Sequence, residues 1–154
     1  PGDGYPLTAL DVPVDEVQRY LDVNALGTLR VSQALMPAML AHGHGRVVNV
    51  GSELACLQAT PWDAFPSGAA YRISKVAMHM VAQLLARAAA GTDVLVNTYS
   101  PGWVKSDIGG PDAPVTPEEG ARPAVWLATL PAGGPSGRFY GEMRWSGAPV
   151  ALHW

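Results

Sequence analysis

Between Val14 and Met39 the apolar residues Val17, Leu21, Ala25, Leu29, Leu35 and Met39 recur at mostly helical spacing, which predicts one long helix or two nearly collinear ones. Pro37 predicts a weakened or kinked last turn, and the glycine-rich His42-Gly43-His44-Gly45 ends the element. Arg46-Val47-Val48-Asn49-Val50 is a short β-branched run, suited to a parallel strand covered on both faces. Residues 57–68 carry two prolines and two aromatics without a steady period and read as a loop able to overhang a pocket. From Ala69 to Ala90 the chain is rich in Ala, Leu and Met and free of Gly and Pro, a second long helix with Gly91 as its C-cap. Residues 93–99 form a second buried strand. Thr116-Pro117-Glu118-Glu119 has the layout of a capping box with proline at the first helical position, so a helix should run from there to about Leu130. Arg138 to Tyr140 reads as a last short strand, and the segment after it as irregular.

Helix, strand, helix, strand, helix, strand is the alternation of an α/β protein with a parallel sheet. Ligands of such sheets sit beyond the carboxyl ends of the strands, which is where Ser52 and the Ser100–Ile108 loop fall. Composition narrows the picture. With 154 residues, 48% apolar and 15% charged, the chain has the size and apolar content of one folded domain. Gly (17) and Pro (14) make up about a fifth of it, below the roughly 25–30% of low-complexity sequence, and point to long structured loops. A net charge of −3 with ten scattered basic residues forms no stripe for nucleic acid or an anionic membrane surface. No apolar run approaches the roughly 20 residues of a membrane span, and the single Cys56 fits a reducing compartment, so the expectation is a cytoplasmic protein acting on a small molecule.

The chemistry lies in the second long helix. Tyr71 and Lys75 stand four residues apart near its start and so share a face. A free phenol titrates near ~10, too high for proton transfer at neutrality; a neighbouring ammonium favours the phenolate and lowers that value. The pair then becomes a workable general acid/base. Tyr-x-x-x-Lys alone is a weak signal. It gains weight because Ser52 directly follows one buried strand and Pro101-Gly102 breaks the next, both at the same predicted sheet edge.

With these residues placed, the sequence resembles the short-chain dehydrogenase/reductase family. The segments that carry the resemblance are Val48-Asn49-Val50-Gly51-Ser52, Tyr71-Arg72-Ile73-Ser74-Lys75 and Val23-Asn24-Ala25-Leu26-Gly27, in the family's order. Ser100-Pro101-Gly102-Trp103-Val104-Lys105-Ser106-Asp107, followed by Thr116-Pro117-Glu118-Glu119-Gly120-Ala121, is similar to the carbonyl-reductase branch. The resemblance implies a Rossmann-like doubly wound parallel sheet and an NAD(P)H-dependent reduction of a ketone, aldehyde or quinone to the alcohol, with the reverse oxidation open. In it Tyr71 would protonate the carbonyl oxygen and Ser52 orient it. Lys75 would lower the Tyr71 pKa and bind the nicotinamide ribose, and Asn24 would hold a water relaying protons to Lys75. Pro101, Gly102 and Val104 would lie against the nicotinamide, and Ser106 near the pyrophosphate. NADP(H) is favoured and NAD(H) remains open; the cofactor would supply the hydride.

Several positions depart from the family pattern. Gly51 stands where relatives often have a second Ser, Ala55 where they often have Gly, and Glu53 sets a carboxylate beside Ser52. The stretch between Ser52 and Tyr71 is longer than in short-loop members and could disturb tetramer-forming faces, leaving the choice between monomer and homo-oligomer open. No TGxxxGxG or NNAG segment occurs, which gives the expectation that residues 1–154 are a partial domain, the C-terminal catalytic half without the dinucleotide phosphate-binding half. Its sheet would then expose a strand edge prone to self-association. The alternative function is a catalytically incompetent fragment or interaction module, unable to bind dinucleotide alone. The histidines (42, 44, 79, 153) show no metal-ligand spacing, so no metal is expected. Met78, Met80, Leu84 and Leu85 read as core residues. Trp62, Phe65, Trp103 and Trp145 either line a hydrophobic pocket or pack loops onto the domain.

Overall fold

The computed structural model describes residues 8–56 and 68–141, with the backbone of 151–152. Along it run α1 (Val14–Leu21), a π-helical segment (Asp22–Leu26), α2 (Gly27–His42), β1 (Gly45–Val50), a 3-10 turn (Glu53–Ala55), α3 (Ala69–Ala88), β2 (Val94–Tyr99), α4 (Pro117–Ala128), β3 (Phe139–Tyr140) and β4 (Ala151–Leu152). The strands form one sheet in the order β1-β2-β3-β4. β1 to β3 are parallel, with Gly45 opposite Val94 and Val50 opposite Tyr99. β4 pairs antiparallel with β3, so the segment expected to be irregular contributes a strand where backbone groups of β3 offer it partners.

The expected α/β architecture with a parallel sheet is present, and the period-two geometry of β2 explains its two faces. Val94 and Val96 join Met36 and Ala89 under α2 and α3, with Val47 and Leu85 against them. Leu95 and Tyr99 point the other way, onto Leu127, Leu130 and Tyr140 with Val48 and Trp126. Every residue of β2 is buried, as its continuous apolar run requires of a central parallel strand. Its polar residue Asn97 is satisfied at both ends, donating to the Pro135 carbonyl (2.8 Å) and accepting from the Arg138 amide (3.0 Å).

Local signals set most of the boundaries. The α2 helix continues through Pro37 to His42, three residues beyond Met39, and stops at Gly43, whose φ of 71° is the left-handed cap that glycine adopts without strain. The capping box of α4 is complete: Thr116 Oγ1 accepts from the Glu119 amide (3.2 Å) and Glu119 Oε2 from the Thr116 amide (2.9 Å). The C-cap of α3 falls at Ala89, two residues before Gly91. The expected core set on α3 holds in part. Met78 is buried and Leu85 packs against the core, whereas Met80 and Leu84 stand exposed: the helix buries one stripe, and residues two positions from Met78 and one from Leu85 rotate off it. The 57–68 loop apart from Gly68, with Trp62 and Phe65, and also Trp145 and His153, lie outside the described residues. Among the described residues no helix is long and apolar enough to cross a membrane.

Candidate active site

The carboxyl ends of β1 and β2 deliver the chain to one edge. Gly51 continues the strand ladder, donating its amide to the Tyr99 carbonyl (2.7 Å), and Ser100 donates to the Tyr140 carbonyl (2.7 Å). The two strand ends are then tied together, because Ser100 Oγ accepts from the amides of Glu53 (3.3 Å) and Gly102 (3.4 Å). Ser52 adopts an extended backbone and caps the 3-10 turn, its hydroxyl accepting from the Leu54 amide at 3.2 Å. That turn fixes where the hydroxyl points.

Opposite it, the first turns of α3 present Tyr71 and Lys75. The Ser52 hydroxyl and the Tyr71 phenol share a hydrogen bond. Lys75 Nζ donates to the Val50 carbonyl at 2.9 Å and lies 5.6 Å from the Tyr71 ring centroid. Tyr20 of α1 packs edge-on to the Tyr71 ring, 6.4 Å between centroids. Ser52, Tyr71 and Lys75 are therefore brought together as their spacing predicts, with Lys75 against the strand end rather than in the solvent.

The expected lowering of the Tyr71 pKa is not met. Burial pushes the phenol above its usual value, the Ser52 hydrogen bond pulls it back only in part, and Tyr20 adds to the rise. Burial likewise lowers the Lys75 ammonium. The physical reason is that the ammonium sits over the ring and is held by the Val50 carbonyl, while desolvation of the phenolate dominates.

Asn24 reaches the cluster through backbone irregularity. In the π-helical segment the Gly27 amide bonds back to the Asp22 carbonyl, five residues away, and the Asn24 carbonyl accepts from Thr28 Oγ1 at 2.7 Å. The Asn24 side-chain amide donates to Ser74 Oγ (2.9 Å), which donates in turn to the Tyr71 carbonyl (2.7 Å). Ser74 is fully buried. π-segments of this kind recur at functional sites.

The Pro101–Ser106 stretch follows β2 at the same edge but closes mainly on itself. Gly102 takes a φ of 76°, Val104 pairs with Val115, and Gly120 of α4 leaves room for Val104, whose Cγ2 would stand 2.8 Å from a Cβ there. Ser106 Oγ accepts from the Gly109 amide (3.0 Å) and donates to the Val104 carbonyl (3.3 Å), so it stabilises its own loop. Trp103 is 56% exposed, its indole N–H donating to the Gly109 carbonyl (2.8 Å).

Two further residues join the site. Ser74, inside the Tyr71–Lys75 segment, links Asn24 to α3. His79, two helical turns beyond Tyr71, accepts the Ser52 amide on Nε2 at 3.4 Å; its i, i+4, i+8 relation to Tyr71 and Lys75 was the available signal.

Known proteins resemble this chain in sequence and in fold. The family model described as short chain dehydrogenase matches residues 5–114. Carbonyl reductase [NADPH] 1 of Sus scrofa is 37% identical over 97 residues, 57% of this chain and 34% of that protein. C-signal of Myxococcus xanthus is 34% identical over 113 residues, 73% of this chain and 66% of that one. The NADPH-bound carbonyl reductase from chicken fatty liver superposes with a TM-score of 0.78 at 23% identity, over 95% of this chain and 61% of its own; that likeness concerns the fold. The match spans about a third of the length of the curated carbonyl reductases.

Proposed function

Because the chain belongs to the short-chain dehydrogenase family, we propose that it carries the catalytic side of an NADP(H)-dependent oxidoreductase that reduces a ketone, aldehyde or quinone carbonyl to the alcohol. The observation that carries this reading is the hydrogen bond between Ser52 and Tyr71, with the Lys75 ammonium beside the ring at the carboxyl edge of the sheet.

The residues fit a nicotinamide ribose. An ammonium has three donors, and Lys75 commits one of them, to Val50, leaving two for a vicinal diol. Pro101, Gly102 and Val104 would border the nicotinamide ring; Ser106, engaged within its own loop, would donate to a phosphate only by releasing the Val104 carbonyl. The bound cofactor supplies the hydride. Preference for NADP(H) over NAD(H) draws on the similarity to carbonyl reductases named for NADPH and on the NADPH bound in a structural neighbour.

Within the site, Ser52 and Tyr71 present two hydroxyls to one carbonyl oxygen, polarising it as the alkoxide develops. Burial keeps the Tyr71 phenol protonated at neutral pH, the form that donates a proton in reduction. Oxidation of the alcohol requires the phenolate and so rises with pH. Asn24 and Ser74 fix the first turn of α3 through the Tyr71 carbonyl and with it the height of the phenol above the sheet edge.

Titration of the 154-residue chain with NADPH and with NADH, followed by cofactor fluorescence, tests the reading, with Lys75→Ala as control. Saturable binding that weakens in the variant, followed by turnover of a carbonyl panel, is the expected result. Absence of binding to either cofactor overturns the reading for this chain and favours the non-catalytic interaction module.

A further inference from the structure

His79 is buried at 4% exposure, and its ring lies against Phe139 of β3 with 4.5 Å between centroids. Residue 51 meets it from the other side. A Cβ at Gly51 would fall onto His79 Nε2 and stand 2.6 Å from Thr98 Cγ2, so the imidazole occupies the space a side chain at 51 would take. The close approach lets the next amide, that of Ser52, reach Nε2 at 3.4 Å. Ser52 is thus held from two sides: its amide by His79 and its hydroxyl by Tyr71 and the Leu54 amide. Both side-chain anchors stand on one face of α3, so this helix sets the position of Ser52 relative to the phenol. Nε2 accepts only when it carries no proton, which assigns the Nδ1–H tautomer.

We propose that His79 is a positioning residue of this site: its Nε2 holds the Ser52 amide, and its ring, seated in the space that Gly51 leaves open, sets the Ser52 hydroxyl on the Tyr71 phenol. The proposal rests on the carbonyl-reduction reading for its kinetic consequence but not for its geometry. Burial, with the Lys75 ammonium one turn away, lowers the His79 pKa to about 4, so the accepting form persists across the neutral range.

The test starts from the unmodified 154-residue chain with 15N-labelled imidazoles. His79 is expected as the Nδ1–H tautomer, unchanged down to about pH 5; an Nε2–H tautomer, or titration near the ordinary ~6.5, overturns the assignment. The second arm compares His79→Gln, which keeps an acceptor, with His79→Leu, which keeps bulk alone. The leucine variant should move the Ser52 amide resonance and lower kcat by about tenfold to a hundredfold, the scale of a small misplacement of a reacting group, with KM within about twofold. Glutamine should restore both. Equal effects of the two variants on the Ser52 amide and on kcat would reduce His79 to packing. If the leucine variant fails to fold, the tautomer of the unmodified chain still decides. Gly51→Ser then gives a further check, since its loss of Tm should be relieved by adding His79→Ala, and persistence of the full loss in the double variant counts against the pairing. An unmodified chain that turns over no carbonyl counts against the proposed function, while the tautomer and the Ser52 resonance still report on His79.

Discussion

The two ends of the parallel strands handle polar groups in opposite ways. At the amino ends, Arg46 is almost fully covered, yet each of its contacts is matched: Nε donates to the Leu130 carbonyl (2.9 Å), Nη1 to the carbonyls of Gly45 (2.8 Å) and Asp93 (2.6 Å), and Nη2 to the Asp93 carboxylate (3.2 Å). His44 Nδ1 adds a contact to Asp93 Oδ2 at 2.7 Å. Contact with His44, reinforced by Arg46 and the Gly133 amide, holds the Asp93 carboxyl below its ordinary value. At the carboxyl ends no carboxylate among the described residues answers Lys75; it has a backbone carbonyl, and burial shifts Tyr71, Lys75 and His79 toward their neutral forms. One end uses its charges to hold β1 and β2 together. The other holds three titratable groups, each shifted by burial, in fixed places.

The contrast is broken most severely by Tyr71→Phe. Loss of the hydroxyl should cut carbonyl reduction by about 10²–10⁴-fold while the thermal midpoint stays near that of the unmodified chain, measured by steady-state kinetics beside circular dichroism. Acid separates the ends by window. His79 titrates lower in the folded chain than the ~6.5 of an unfolded one, so the unfolded chain binds the extra proton first and stability falls as pH drops from about 6.5 toward 4. The loss amounts to about 3 kcal/mol, and urea titrations should show it flattened in His79→Gln. Asp93 acts at lower pH: its contribution is complete above the ordinary carboxylate value and disappears as pH falls through the depressed one. Asp93→Asn should therefore lose a few degrees of Tm at neutral pH, and the deficit should close as pH falls through that depressed value. Thr116→Ala removes one half of the α4 capping box beside the Val104–Val115 bridge and should cost about 1 kcal/mol. Smallest is Thr98→Val. Thr98 Oγ1 is buried without a hydrogen-bond partner among the described residues, so an apolar isostere should leave stability unchanged or raise it by up to about 1 kcal/mol.

What the sequence made legible followed from local rules. The β-branched runs, the capping box at Thr116 and Gly43 after α2 each announce themselves within a few residues, and the Tyr71–Lys75 spacing needs only helical geometry. Pro37 lies inside α2, which runs on to His42: a proline there forfeits one amide bond, and the packing of Met36 and Met39 with Val94 and Val96 offsets that loss. Met80 and Leu84 misled because hydrophobicity alone does not say which stripe of α3 faces the sheet. His79 and Gly51 stayed hidden for a different reason: their relation is a contact between elements far apart in sequence, and neither residue type signals it. The sign of the Tyr71 shift was equally out of reach, since the ammonium's proximity is readable from spacing but the depth of burial is not.

The π-helical segment gives this chain an unusual response to changes in length. It holds one residue more per turn than its neighbours, so α1 and α2 run out of phase by the angle of that surplus residue. Deleting a single residue between Asp22 and Leu26 would let the backbone of this segment relax to α-helix with its carbonyls bonded four residues on, a change that most helices tolerate poorly and this one is built to absorb. The same deletion would turn Asn24 away from Ser74, so in this helix the indel that perfects the ladder is the one that disconnects it from the neighbouring helix.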